Sequence, residues 1–117
     1  MAQVLPLTAQ PAPNPLEALL TRARSGLPLG ELMSAANTLQ QQGQLEAAAL
    51  LYETWVAHCQ SAAHKPVALF NWGTVLGSLR RHEAAEAAYR QALALKPDFA
   101  QARLNLAHQF EHLGRSE

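Results

Sequence analysis

Three groups of side chains in this 117-residue chain have the types and spacing from which chemistry is built. His108 and His112 stand four residues apart with Glu111 beside them. On a helix both imidazoles share one face, a spacing that can bind zinc. The hydrolytic version of such a site needs a glutamate directly after the first histidine, and Gln109 stands there instead. The pair is therefore read as groove or surface histidines without metal. His58, Cys59 and His64 gather near the end of another predicted helix, which a buried thiol with solvated imidazoles explains. Glu83 and Glu86 have the spacing of a solvated helix face, and no glycine-rich phosphate loop, nucleophile elbow or Ser/His/Asp set is present. The chain is expected to be non-catalytic, with no cofactor and no metal.

Composition narrows the partner. Nine Lys and Arg balance nine Asp and Glu, and no basic run occurs, so the electrostatic footprint of a nucleic-acid or anionic-membrane binder is missing. Cys59 is the single cysteine and has no internal disulfide partner, and no secretory signal opens the chain. No window is long and apolar enough to span a bilayer. A cytoplasmic setting, with neither nucleic acid nor membrane as partner, is the expectation.

The elements that position these groups are all predicted as helices. Ala, Leu, Gln and Glu dominate, Ile is absent and Val and Thr are sparse, a mix that favours helix over strand. Residues 1–15 hold Pro6, Pro11, Pro13 and Pro15, which deny the backbone donors and bias the preceding residues away from helix, so this stretch reads as an arm. Asn14-Pro15 then caps a short helix over 16–25, stopped by Gly26 and Pro28. Leu32, Ala35, Ala36 and Leu39 form the apolar stripe of a helix from Leu29 to Gln42, and Gln42-Gly43-Gln44 turns the chain into a second helix that continues past Cys59. Val67–Leu79 and His82–Leu95 make another pair ended by Lys96-Pro97, and Asp98 is expected to cap a last helix over Phe99–Leu113.

The pairs repeat. Leu69, Asn71, Trp72, Gly73, Leu76 and Leu79 superpose on Arg103, Asn105, Leu106, Ala107, Phe110 and Leu113, and on Leu32, Ser34, Ala35, Ala36, Leu39 and Gln42. Between the first two copies the spacing is longer by three residues, placed here as an extra turn of the helix ending near Ser61. Small residues at Ala36, Gly73, Ala107, Ala48 and Ala85 let backbones approach, while Tyr52, Tyr89, Leu39, Leu76 and Phe110 fill the spaces between. Trp55 and Trp72 read as core aromatics.

With Trp72-Gly73, Leu76, Ala85, Tyr89, Ala92 and Pro97 set in a period of about 34 residues, the chain resembles the tetratricopeptide repeat family. The resemblance implies an all-α superhelix of antiparallel helix pairs over 16–117: repeat one at 29–61, repeat two at 66–96, and the first helix of an incomplete third at 98–113. An unfinished repeat whose Leu104, Leu106, Phe110 and Leu113 are this apolar suggests a piece of a longer protein, or pairing of two copies through the last helix.

In that family the first helix of each repeat lines a concave groove. Carried onto this sequence, the groove positions are Met33, Ser34, Asn37 and Gln41; Phe70, Asn71, Thr74 and Ser78; and Leu104, Asn105, His108 and His112. Asn71 and Asn105 share one repeat position, and an amide there either hydrogen-bonds an extended peptide or ties repeats together. The first possibility resembles the asparagine ladder of O-linked N-acetylglucosamine transferases. A clamp for a terminal carboxylate needs Lys or Arg where Met33, Phe70 and Leu104 stand, so an apolar or backbone-directed ligand is expected. The implied function is a protein-interaction module that holds a peptide or partner helix. The alternative is the N-terminal recognition region of a larger enzyme similar to the bacterial SPINDLY-type glycosyltransferases.

Overall fold

A computed structural model describes residues 15–59, 61 and 63–114. Among them the chain forms six helices: α1 Pro15–Ser25, α2 Leu29–Gln41, α3 Leu45–His58, α4 Lys65–Ser78, α5 His82–Leu95 and α6 Ala100–His112. No strand occurs among the described residues. The fold is all-α. The arm expected at residues 1–15 and its Asn14 cap lie outside the described residues except for Pro15, which opens α1 at the position where a missing N–H costs least.

α2 pairs with α3 and α4 with α5, and each pair leans on the next through α3–α4 and α5–α6 contacts, while α1 covers the open side of α3. The contact surfaces carry the apolar stripes. Leu32, Ala36, Ala48, Leu51, Ala85 and Ala92 are fully buried, and Tyr52, Leu76, Tyr89 and Phe110 fill the junctions between helices. Trp55 seals the start of the stack: its indole N–H donates to the Leu27 carbonyl at 2.6 Å, tying the α1–α2 connection to α3. Trp72 is only partly buried, packed against the edge of the core.

Gly73 shows why one position tolerates so little. A Cβ built there falls 2.8 Å from Cε1 of Tyr89, so α4 and α5 approach until ring meets backbone. Ala36 holds the same close packing in the first repeat at no exposure, but Ala107 is exposed, because no helix among the described residues covers that face of α6.

Each first helix ends in a residue with positive φ. Gly43 has φ 77°, Gly114 φ 72°, and between them in the repeat Arg80 has φ 61°. A side chain in this region crowds the following carbonyl at a cost of roughly 1–2 kcal/mol, which glycine avoids. Arg80→Gly is therefore expected to raise stability by about 1 kcal/mol, read as a higher thermal midpoint by circular dichroism. An unchanged or lower midpoint would mean that the arginine side chain offsets its own strain.

Two expectations are corrected. α3 stops at His58 and Cys59 turns extended (φ −75°, ψ 130°), so the three added residues between repeats fall in the connection to α4 and not in an extra helical turn. The reason lies in the thiol's surroundings: Ser61 N–H donates to Cys59 Sγ at 3.3 Å, and His64 N–H donates to Ser61 Oγ at 3.3 Å, bonds that hold a turn in place of helix. Likewise Asp98 is not the cap of α6. Phe99 takes that position without a side-chain cap, and the turn is held by Phe99 N–H donating to the Lys96 carbonyl at 3.1 Å and by Arg103 donating to the Pro97 carbonyl at 2.6 Å. Arg81, just before α5, pairs with Glu46 of α3 at 3.2 Å, but both side chains are at least half exposed, so the pair adds a few tenths of a kcal/mol (~0.5) at most.

Candidate peptide-binding groove

The sequence-predicted positions lie on the first helices α2, α4 and α6. A hollow of about 350 Å³ is lined by Met33, Ser34, Asn37, Gln40, Tyr52 and Asn71, and so brings together four of those positions from two repeats. Gln40 and Tyr52 were not among them. Met33 is more than a third exposed, and Ser34 and Asn37 are exposed beside it. Burial pushes the Tyr52 hydroxyl up to about 12, and the Asn71 amide beside it pulls the other way. At any ordinary pH this group is a neutral phenol with a proton to donate.

One repeat later the same positions meet differently. Asn105 Nδ2–H donates to the Tyr89 hydroxyl at 3.3 Å, and that hydroxyl lies 3.1 Å from Thr74 Oγ1, which itself donates to the Phe70 carbonyl at 3.1 Å. Each hydroxyl has one hydrogen, so with all three contacts made the hydrogens run one way: Asn105 to Tyr89, Tyr89 to Thr74, Thr74 to Phe70. The relay crosses α6, α5 and α4. The amide of Asn105 thus spends a donor on tying repeats together. Both asparagines sit against the tyrosine of the preceding pair, a partnership hidden in sequence because the spacing differs, Tyr52 to Asn71 against Tyr89 to Asn105.

An aromatic ledge continues from the relay. The Phe70 ring packs 5.0 Å from Phe99 and 5.8 Å from Tyr89, centre to centre, both tilted. Lys96 Nζ lies 5.5 Å from the Phe99 ring centre. Leu104 occupies the position of Phe70 in α6 and is 58% exposed, an apolar side chain left facing solvent. Ser78 and Gln41 are exposed at the far ends of their helices.

His112 is drawn away from His108. Its ring stacks on His82 of α5, centres 4.6 Å apart and planes 7° from parallel, while His82 Nδ1–H donates to Oε1 of the buried Gln109 at 2.7 Å. His108 is exposed on α6. Among the described residues no three His, Cys, Asp or Glu side chains converge on a point where a metal would sit. His58 Nδ1–H donates to the Thr54 carbonyl at 2.9 Å, and Cys59 is engaged with Ser61.

With paired helices, the Gly73–Tyr89 contact and the Pro97 stop all in place, the second pair can be compared with known proteins. Residues 66–99 match the tetratricopeptide repeat family. The match begins at Pro66 in the first turn of α4 and ends at Phe99, so it takes in α4, α5 and the turn into α6. The all-α stack is consistent with a tetratricopeptide-type helical repeat, and a tetratricopeptide repeat is in general a protein-interaction element. Neither the curated proteins nor the solved structures give a match. No helix among the described residues is long and apolar enough to cross a membrane.

Proposed function

We propose that this chain is a non-catalytic interaction module that holds a peptide or a partner helix in the groove formed by α2, α4 and α6. The observation that carries the reading is the hollow shared by Met33, Ser34, Asn37, Gln40, Tyr52 and Asn71, where two repeats present amides, hydroxyls and a thioether to the same space. Such a surface binds by backbone hydrogen bonds and apolar contacts, as grooves for peptides do. Phe70 and Leu104 extend it with apolar surface toward α6. The match at residues 66–99 is to the repeat alone and supports this binding role. Recognition for a larger glycosyltransferase would use the same groove, but nothing in its geometry favours that enzyme over other partners. The proposed setting is a reducing cytoplasm, with a protein and not nucleic acid as the partner.

Ser34 and Asn37 are exposed, so replacing both with Trp fills the hollow without disturbing the core. Proteins captured from a native extract by the full chain are expected to fall about tenfold with the S34W/N37W chain, at unchanged thermal midpoint. Equal capture by both chains would move the binding surface away from the groove.

A further inference from the structure

We infer that the groove takes an extended peptide segment with no ionised side chain over the stretch that crosses α2 and α4. This rests on the groove reading above and names the class of partner within it. What points there is the placement of charge. Around α2 no Asp, Glu, Lys or Arg stands between Glu31 and Glu46; around α4 none stands between Lys65 and Arg80; in α6 none stands between Arg103 and Glu111. The second helices differ, with Glu53 inside α3 and Glu86 and Arg90 inside α5. Of the six charges bracketing these stretches, three have partners of their own: Glu31 with Arg22 at 2.8 Å, Glu46 with Arg81 at 3.2 Å, and Arg103 with the Pro97 carbonyl.

A lysine or glutamate pressed against Met33, Asn37 and Asn71 would surrender hydration and meet no opposite charge in the lining of the hollow, a loss that neutral groups avoid. Backbone amides, hydroxyls and carboxamides instead find donors and acceptors at Ser34, Asn37, Gln40 and Asn71, and an apolar side chain finds the Phe70–Phe99 ledge. The selection ends at the turn into α6, where Lys96 stands over Phe99. A ligand residue reaching that end is free to be acidic.

Random peptides of about 12 residues displayed on phage, selected on the immobilised full chain, test this directly. Each clone is re-tested on the S34W/N37W chain, which blocks the hollow without adding charge, so that groove-dependent clones are recognised. Those clones are expected to carry about threefold fewer Asp, Glu, Lys and Arg than the unselected library, with affinity changing less than about twofold between ~0.05 M and ~0.5 M NaCl. Groove-dependent clones rich in charge, or affinities that fall about tenfold with salt, would overturn this inference and leave the groove reading standing. A selection in which no clone depends on Ser34 and Asn37 would overturn the groove reading, and this one with it.

Discussion

Replacing Gly73 with valine is expected to lower stability by about 3 kcal/mol, a fall in thermal midpoint of roughly 15 °C. A Cβ alone already comes within 2.8 Å of Tyr89 Cε1 and 3.0 Å of Cδ1, and valine adds two further carbons to that wall. The ring has little room to yield. It is 2% exposed, Phe70 packs against it, and turning it would break the hydroxyl's contacts with Thr74 and Asn105. Alanine at the same site sets two effects against each other: it gains about 1 kcal/mol of helix propensity over glycine and loses about 1–3 kcal/mol to overlap. A small net loss is expected for Gly73→Ala. The decisive control is a Tyr89→Ala background, in which Gly73→Val should cost far less, because residues in contact are not additive. Equal costs in both backgrounds would show that the helix, and not the ring, sets the penalty.

Trp55→Ala is expected to cost about 4 kcal/mol, a large fraction of the margin by which a domain this size is folded. The indole is 6% exposed beneath the α1–α2 connection, and its N–H is the donor that holds the Leu27 carbonyl, itself part of a residue 3% exposed. Truncation opens a cavity and strands that carbonyl. Trp55→Phe separates the two, since it keeps most of the bulk and loses the bond, at an expected cost of about 1–2 kcal/mol. Urea unfolding followed by circular dichroism reads both. A loss under about 1 kcal/mol for the alanine variant would mean that α1 is not anchored through this side chain.

Much of the architecture could be read from the chain because the apolar stripes are local. Leu32, Ala36 and Leu39 share a face by virtue of helical period alone, and all three are buried. Boundaries were harder. The extra residues before α4 carried the composition of helix, and only the bonds among Cys59, Ser61 and His64 show why they turn. For Asp98 the competing fact is a turn that register does not show: Phe99 N–H donates to the Lys96 carbonyl and Arg103 to the Pro97 carbonyl, and the helix begins one residue later.

Among the groove positions, register within the repeat picked out Met33, Ser34, Asn37 and Asn71, which do share a hollow. What register misses is direction across helices. Tyr52 and Tyr89 read as bulk that fills gaps, yet their hydroxyls face the asparagines of the next pair, and which way a hydroxyl points is decided only when helices pack. The histidines carry the same lesson in reverse. Four-residue spacing put His108 and His112 on one face, but a partner from α5, remote in sequence, claims the second ring.

Contacts that run chiefly from each hairpin to the next have a consequence for how the molecule comes apart. The α4–α5 pair is flanked on both sides, whereas α6 leans chiefly on α5 and α1 on α3, so among the described helices opening begins at the outer ones and moves inward. Amide protons of α4 and α5 should then exchange with deuterium last. The floor of the groove at Phe70 and Thr74 would be the part of the binding surface that persists longest as the rest frays.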